Sequence, residues 1–335
     1  MTMDVEAAAT SLVTIEAVRA AATTLRGIAT RTPLVPFGRP EARRFLKAES
    51  LQPIGAFKIR GAYVAVAALS PDERARGVIT YSSGNHAQGV ARAARLFGVP
   101  AVIVMPSDAP ALKKARVEAD GAEVVVVGTS SDERQRVAEE IAAERGLAII
   151  PPFDDDRIIA GQGTVGLEIA EDLPDVGAVL VPIGGGGLAS GVCVALRALA
   201  PRARIVGVEP ELAADAQQSL REGRIVRWSP EDSSRTIADG TRTTAIGQRN
   251  FAHLARLLDD VVTVSEAEIG AAVRLAAEGS RLVVEPSGAL TVAALVFRPG
   301  EAGLEAIDGP IVAVVSGGNI DPDRYRELLR SPLPA

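Results

Sequence analysis

The stretch VGAVLVPIGGGGLASGVCVAL, residues 176–196, decides how this chain folds. It is the longest uncharged stretch of the sequence, and its length alone would admit a membrane-spanning helix. Pro182 and four consecutive glycines, Gly184, Gly185, Gly186 and Gly187, interrupt any such helix. The stretch therefore predicts a buried strand, a glycine loop and then a helix that begins near Leu188.

The same alternation of short strands and longer helices continues along most of the chain. Short β-branched runs, such as residues 77–81, alternate with alanine-rich amphipathic segments, such as residues 85–97. This pattern predicts an α/β protein with mostly parallel twisted sheets flanked by helices. The segment PPFDDD, residues 151–156, predicts a crossing between two lobes. We expect a large lobe of residues 1–75 and 151–335, which binds a cofactor, and a small mobile lobe of residues 76–150.

The composition excludes several classes of protein. The 335 residues include 36 basic and 42 acidic side chains, and the net charge of −6 argues against broad nucleic-acid binding. Hydrophobic residues at 47% and charged residues at 23% exclude a disordered chain. The single cysteine, Cys193, excludes an internal disulfide, and the start MTMDVEAAAT lacks the basic and apolar regions of a signal peptide. We therefore expect a cytoplasmic protein with neither a membrane nor a nucleic acid as partner.

The motifs that are missing narrow the chemistry further. His86 and His253 are the only histidines, so no HExxH metal motif is possible, and one cysteine cannot build a multi-cysteine zinc site. A GxSxG nucleophile elbow and a GxxxxGK[ST] phosphate loop are also absent. Triad hydrolases of the common kind and P-loop enzymes are thereby excluded.

Two segments in the first third of the chain carry unusual chemistry. Lys58, in GAFKIRG, is predicted near the start of a helix over residues 56–69, where the helix dipole disfavours a cation. A buried lysine there would have a lowered pKa, which suits Schiff-base chemistry, whereas the plainer interpretation is a solvated surface lysine. The segment SSGNHAQG, residues 82–89, follows a strand and opens a helix, so it predicts an anion site or, more simply, a helix cap.

Two later segments have the same placement after a strand. The glycine loop that ends at Leu188 lets the backbone wrap around a phosphate, although a glycine run alone also fits a flexible turn. The segment SGGN, from Ser316 to Asn319, puts a hydroxyl group at the carboxyl edge of a parallel sheet, where ligands usually bind.

In this order the four segments resemble the fold-type II pyridoxal-phosphate enzymes, specifically the threonine/serine dehydratase and serine racemase group. The resemblance extends over about residues 32–321 and implies pyridoxal 5'-phosphate as cofactor and a homodimer as the assembly. It implies that Lys58 and Ser83 are catalytic, and that the cofactor is bound by Phe57, Lys58, Asn85, Gly184, Gly185, Gly186, Gly187, Leu188 and Ser316. The small-molecule amino-acid substrate would contact Ser82, Ser83, His86, Arg134 and Thr243. A divalent cation, Mg²⁺ or Ca²⁺, would be bound by Glu209, Ala213 and Asp215.

The implied reaction is dehydration of a β-hydroxy-α-amino acid, such as L-serine, L-threonine or 3-hydroxyaspartate, to a 2-keto acid and ammonia. The alternatives are an amino-acid racemase with side elimination, in which Ser83 delivers a proton opposite Lys58, a β-replacement synthase, and an inactive cofactor-binding protein. Ile54 and Ala56 stand where the group usually has hydroxyl residues, which predicts a more apolar wall beside Lys58 and a substrate other than threonine.

Overall fold

The computed structural model describes residues 11–82, 84–109, 111–128 and 131–334. Its strands are β1 Leu34–Pro36, β2 Arg44–Ala48, β3 Val78–Tyr81, β4 Ala101–Pro106, β5 Glu123–Val127, β6 Ala148–Ile149, β7 Ala178–Pro182, β8 Arg204–Pro210, β9 Asp260–Val264 and β10 Ile311–Val315. Its helices are α1 Ile15–Thr24, α2 Lys58–Ala67, α3 Pro71–Arg76, α4 Asn85–Phe97, α5 Ala111–Ala119, α6 Ser131–Arg145, α7 Asp156–Asp172, α8 Gly187–Leu199, α9 Asp215–Glu222, α10 Pro230–Ser233, α11 Gln248–Leu257, α12 Glu266–Ser280, α13 Pro286–Phe297 and α14 Pro322–Leu328.

A six-stranded sheet has the strand order β1-β2-β10-β7-β8-β9. Its strands run parallel except for β1, which pairs antiparallel with β2. Both faces are buried, because α13 and α12 pack on one side while α7 and α8 pack on the other. The strand β10 illustrates the consequence, since all five of its residues are buried and apolar.

A second sheet is smaller and entirely parallel, with the strand order β5-β4-β3-β6. One hydrophobic cluster joins α2 and α4 to one face of this sheet, and another joins α6 to the opposite face. The two sheets confirm the prediction of mostly parallel sheets flanked by helices. The antiparallel β1 was not predicted from the sequence.

The local elements around the site follow from the sequence. The helix α8 begins at Gly187, one residue before the predicted start, and α4 has the predicted bounds. The helix that carries Lys58 is shorter than predicted, and Lys58 is its first residue. Among the helices described, none combines the length and the apolar composition that a membrane crossing requires.

Candidate active site

A cavity of about 530 Å³ lies between the two sheets, where the carboxyl ends of three strands converge. Ser82 follows β3, the glycine loop follows β7, and Ser316 follows β10. Parallel strands present their carboxyl ends at one edge of a sheet, so segments that are remote in sequence become neighbours here. The cavity lining contains most of the residues that the sequence singled out, namely Phe57, Lys58, Ser82, Asn85, His86, Arg134, Gly184, Gly185, Gly186, Gly187, Leu188, Thr243 and Ser316.

Lys58 lies in the wall of this cavity, and its amine is poorly solvated. Nζ donates a hydrogen bond to the carbonyl oxygen of Pro152 at 2.7 Å and lies 5.2 Å from the centroid of the Phe57 ring. No carboxylate forms an ion pair with Lys58 among the described residues, and burial lowers its pKa from 10.5 to about 8. Roughly a tenth of the amine is therefore unprotonated at pH 7, far more than at the ordinary lysine pKa, and the unprotonated form is the one that a nucleophile or a general base requires.

The glycine loop wraps the N-terminus of α8 so closely that side chains are excluded. Gly186 has φ of 96°, in the left-handed region, and a Cβ atom on Gly185 would lie 2.2 Å from Cδ1 of Phe153. The first intrahelical bond of α8 runs from the N–H of Ser190 to the carbonyl of Gly186, so the preceding N–H groups have no partner within the helix. Such a cradle at a helix N-terminus fits a phosphate.

A chain of hydrogen-bonded amide and carboxyl groups fixes the side chain of Asn85 in the wall of the cavity. Asn85 donates from Nδ2 to Oε1 of Glu285 at 2.6 Å and accepts at Oδ1 from Nδ2 of Asn319 at 2.8 Å. Arg116 in turn donates to Oδ1 of Asn319. Burial raises the pKa of Glu285 to about 7, while the charge of Lys113 acts in the other direction. The second Nδ2 hydrogen of Asn85 remains available for a ligand oxygen.

The segment after β3 supplies His86, which is buried and neutral. Nε2 of His86 lies 3.1 Å from the carbonyl oxygen of Ile150, so this nitrogen carries the proton, and Nδ1 has no partner among the described residues. Burial and the charge of Lys58 lower the pKa of His86 to about 3. Ser82 lines the cavity beside it, whereas Ser83 lies outside the described residues.

Ser316 leaves β10 next to the segment that carries the lysine. The carbonyl of Ser316 accepts a hydrogen bond from the N–H of Phe57 at 3.0 Å, and a β-bridge joins Ala56 to Gly317. The side chain of Ser316 is 5% exposed and its Oγ lies 3.5 Å from the carbonyl oxygen of Ser287. The hydroxyl donates this long hydrogen bond to Ser287, and a ligand acceptor in the cavity would compete for the same proton.

Glu209 and Asp215 come together behind the cavity, although neither lines it. Glu209 in β8 accepts hydrogen bonds from the N–H groups of Ala216 and Gln217, at 3.1 and 2.7 Å. Both carboxylate oxygens of Asp215 are buried and lack a hydrogen-bond partner among the described residues. Burial raises the pKa of both carboxyl groups, and the charge of Asp215 raises that of Glu209 further. Ala213 is buried in the turn between them, while no group of three or more histidine, cysteine or carboxylate side chains suited to a metal occurs in the described part of the chain.

Other residues of the site were missed by sequence reasoning. Nζ of Lys113 in α5 donates a hydrogen bond to Oδ2 of Asp239 at 2.5 Å. Asp154 caps α11 by accepting hydrogen bonds from two backbone N–H groups at 2.8 and 3.1 Å. Burial lowers the pKa of Lys113, but the carboxylates of Asp239 and Glu285 outweigh this effect and raise it overall. No local pattern signals these residues, because each one acts through a partner that is distant in sequence.

The prediction that Ile54 and Ala56 form an apolar wall of this cavity beside Lys58 is wrong. Neither residue lines it, and Ile54 lies instead in a second cavity of about 330 Å³, together with three arginines. The carbonyl of Ile54 accepts a hydrogen bond from Asn319 at 2.8 Å. The segment before Lys58 turns away because Phe57 and Ala56 are bonded to the end of β10.

A poorly solvated lysine, a glycine cradle at a helix N-terminus and a serine at the edge of a parallel sheet are the features of a pyridoxal-phosphate enzyme. The chain belongs to this family, because residues 25–317 match the family "Pyridoxal-phosphate dependent enzyme". The architecture is that of the fold-type II enzymes.

Named relatives cover nearly the whole chain. It is 43% identical to an L-threo-3-hydroxyaspartate ammonia-lyase of Saccharomyces cerevisiae, over 86% of this chain and 86% of that protein. It is 39% identical to a serine racemase of Schizosaccharomyces pombe, over 95% of this chain and 98% of that protein. The solved structure of maize serine racemase superimposes with a TM-score of 0.89 at 36% identity, covering 95% of this chain and 97% of that one.

Proposed function

We propose that this protein is a pyridoxal-phosphate-dependent ammonia-lyase that dehydrates a β-hydroxy-α-amino acid to a 2-keto acid and ammonia. The observation that carries the proposal is the placement of the Lys58 amine, with its pKa of about 8, in a cavity whose other walls are the glycine loop and Ser316. Relatives at about 40% identity include an L-threo-3-hydroxyaspartate ammonia-lyase and an L-threonine ammonia-lyase.

The residues of the cavity fit the cofactor. The loop of Gly184, Gly185, Gly186 and Gly187, with Leu188, would hold the phosphate, because free N–H groups and missing Cβ atoms suit an anion that approaches the backbone. Asn85 would donate to the phenolic oxygen, and Phe57 would lie beside the ring. The cofactor would supply an electron-accepting ring that stabilises negative charge at the substrate's α-carbon.

Lys58 and Ser316 would set the course of the reaction. Lys58 would hold the cofactor covalently in the resting enzyme, and its amine would then take the α-proton of the substrate. The Ser316 hydroxyl would donate a hydrogen bond to the ring nitrogen without transferring a proton as a carboxylic acid would, which would favour loss of the β-hydroxyl over transamination. Ser82 and His86 would position the substrate carboxylate, and Arg134 and Thr243 would approach it when the cavity closes.

A second function, racemisation, is favoured by Ser83 and by the relatives that are named serine racemases. A hydroxyl group opposite Lys58 would return a proton to the other face of the α-carbon. Replacing Ser83 by alanine should then abolish racemisation and spare dehydration. An unchanged racemisation rate in that variant would refute the role of Ser83.

The experiment that tests the main proposal is a product assay on the cofactor-loaded protein. L-serine, L-threonine and both diastereomers of 3-hydroxyaspartate would each be supplied, and keto acid, ammonia and the opposite enantiomer would be measured. Keto acid and ammonia support dehydration, while the opposite enantiomer at a comparable rate supports a racemase. A Lys58 adduct that borohydride traps, but that reacts with none of these amino acids, would refute both functions.

Glu209, Asp215 and the carbonyl of Ala213 would bind a divalent cation. Two adjacent buried carboxyl groups with raised pKa, and two unpartnered Asp215 oxygens, are a site that a cation would neutralise. Chelation should therefore lower the melting temperature of the wild-type protein, and Mg²⁺ or Ca²⁺ should restore it. Stability that does not respond to chelation would refute the site.

Lobe closure, a homodimer and a cytoplasmic location complete the proposal. The lobe of residues 76–150 would close on the remainder, since the cavity is lined from both sheets. Small-angle scattering with and without substrate tests the closure, and sedimentation tests the dimer. Fractionation of the source cells tests the location.

A further inference from the structure

One wall of the cavity is cationic and serves none of the roles described above. Five cationic side chains and three carboxylates of the described residues line the cavity. Lys58 belongs to the cofactor site, Lys113 is paired with Asp239, and Arg134 is assigned above to the substrate's α-carboxylate. Arg227 and Arg242 remain, and both belong to the segment between α9 and α11.

Hydrogen bonds on both sides of Arg227 hold the backbone in place, and the Arg227 side chain lines the cavity. The N–H of Val226 donates to Oγ of Ser219 at 2.9 Å, and the N–H of Trp228 donates to the carbonyl of Thr244 at 2.8 Å. Trp228 also donates from Nε1 to Gln218 at 2.8 Å. Ile225 and Arg227 line the cavity, whereas the Trp228 side chain is held outside it by Gln218.

The two guanidinium groups are oriented by neutral partners only. Arg227 donates from Nη1 to Oγ1 of Thr244 at 2.9 Å, and Arg242 donates from Nε to the carbonyl of Thr236 at 2.9 Å. Throughout the residues that the structure describes, neither guanidinium forms an ion pair with a carboxylate, although burial raises the pKa of the Asp215 carboxyl and the charge of Arg227 acts at longer range to lower it. An arginine keeps its charge at every working pH, and its remaining donors suit a carboxylate.

The anions that the reaction needs have other binding places. The glycine loop at the N-terminus of α8 fits the cofactor phosphate, and the N-terminus of α4, with Ser82 and His86 in the cavity lining, fits the substrate's α-carboxylate. The side chain of Arg227 is hydrogen-bonded to that of Thr244, and Arg242 lies two residues before Thr244 in the sequence. Both cations without an ion-pair partner therefore line the same cavity.

We infer that Arg227 and Arg242 form a subsite for a second carboxylate on the substrate, which makes a β-hydroxy-α-amino diacid the preferred substrate class. This inference rests on the proposed function. A distal carboxylate carried on the β-carbon matches two guanidinium donors, whereas the side chains of serine and threonine leave both cations unpaired. Discrimination arises because the diacid alone supplies the missing negative charge.

The test compares kcat/KM for L-threo-3-hydroxyaspartate with kcat/KM for L-serine, and takes their ratio. In Arg227→Gln and Arg242→Gln the ratio should fall roughly tenfold to a hundredfold, as expected for the loss of a charge-assisted hydrogen bond. Arg224→Gln is the matched control, because Arg224 lies on the same segment but pairs with Glu222 at 2.5 Å. An unchanged ratio in both variants, or an equal fall in the control, would overturn the inference.

A binding measurement separates the subsite from catalysis. Succinate has two carboxylates and no amino group, so it can occupy the site without reacting with the cofactor. It should raise the melting temperature of the wild-type holoenzyme more than acetate does at equal ionic strength, and Arg227→Gln should lose this difference. Equal shifts in both proteins contradict the subsite.

The remaining outcomes distinguish this inference from the proposed function. Wild-type protein that dehydrates serine or threonine but not the diacid refutes the subsite alone. Wild-type protein that dehydrates none of the substrates refutes the proposed function. Loss of bound cofactor from Arg242→Gln at wild-type stability would assign that guanidinium to the cofactor phosphate, and would likewise overturn the inference.

Discussion

Replacing Lys58 by methionine should abolish activity and yet stabilise the cofactor-free protein. Burial lowers the pKa of Lys58 from 10.5 to about 8, so the folded protein binds this proton less tightly than the unfolded chain does. The difference corresponds to about 3 kcal/mol. Methionine also loses the hydrogen bond to the Pro152 carbonyl, which contributes about 1 kcal/mol, so the net gain at pH 7 should be about 2 kcal/mol.

The stability gained in Lys58→Met should fall as the pH rises. Because the pKa of Lys58 is lower in the folded protein than in the unfolded chain, the charged amine destabilises the fold by the full amount below pH 8. This destabilisation disappears as the pH rises towards 10.5. Urea unfolding of both cofactor-free proteins should therefore give a gain of about 2 kcal/mol at pH 7, about 1 kcal/mol at pH 9 and almost none at pH 10. Lys114→Met is the control, because Lys114 is exposed and its Glu118 partner lies 3.9 Å away. A gain independent of pH, or a methionine variant less stable at pH 7, would refute the reasoning.

Three further substitutions test the packing and the charges around the site. Gly185→Ala should lower the free energy of unfolding by about 1–3 kcal/mol and weaken cofactor fluorescence, because its Cβ would lie 2.2 Å from the Phe153 ring, and Phe153→Leu in the same chain should recover part of both. Glu285→Gln should raise the melting temperature more at pH 8.5 than at pH 5.5 and hardly at all at pH 4, since a carboxyl whose pKa rises from 4.5 to about 7 on folding destabilises the protein once the unfolded chain ionises, with the full cost above pH 7; an equal gain at all three pH values would contradict this. Arg60→Met should cost about 3–5 kcal/mol in urea unfolding, because buried Glu49 loses its ion-pair partner and Glu168 keeps only Lys47, whereas Arg31→Met should cost less than about 1 kcal/mol at its exposed ion pairs, and similar losses would contradict the role of burial.

Elements with local signals could be predicted from the sequence. The glycine run after an apolar strand fixes the start of α8 to within one residue, because glycine and proline exclude a continuous helix there. The helix α4 has the expected bounds for a similar reason, since Gly98 ends it with φ of 66°. These signals lie within a few residues of the element that they define.

The edge strand and the supporting contacts of the site could not be predicted in this way. The strand β1 has three residues and ends in Pro36, and only its pairing with β2 makes it a strand. Asn85 meets Glu285 across 200 positions of sequence, and Lys113 meets Asp239 across 126. Such contacts depend on which sheet edges face each other, and a single sequence holds no local record of that.

The surroundings of Lys58 explain how the amine stays at an unfavourable position. Lys58 is the first residue of α2, which has no acidic residue in its first turn and no side-chain cap, so the helix dipole opposes its charge. Two residues later Arg60, which is 1% exposed, donates to both Glu49 and Glu168 at 2.6–2.9 Å. Glu168 also pairs with Lys47, so the network carries no net charge, and it joins the first turn of α2 to β2 and α7. Burial raises the pKa of Glu49, but the guanidinium of Arg60 outweighs burial and lowers it, so the network stays ionised. A tertiary ion network thus anchors the first turn of α2, while Lys58 at its start faces the cavity.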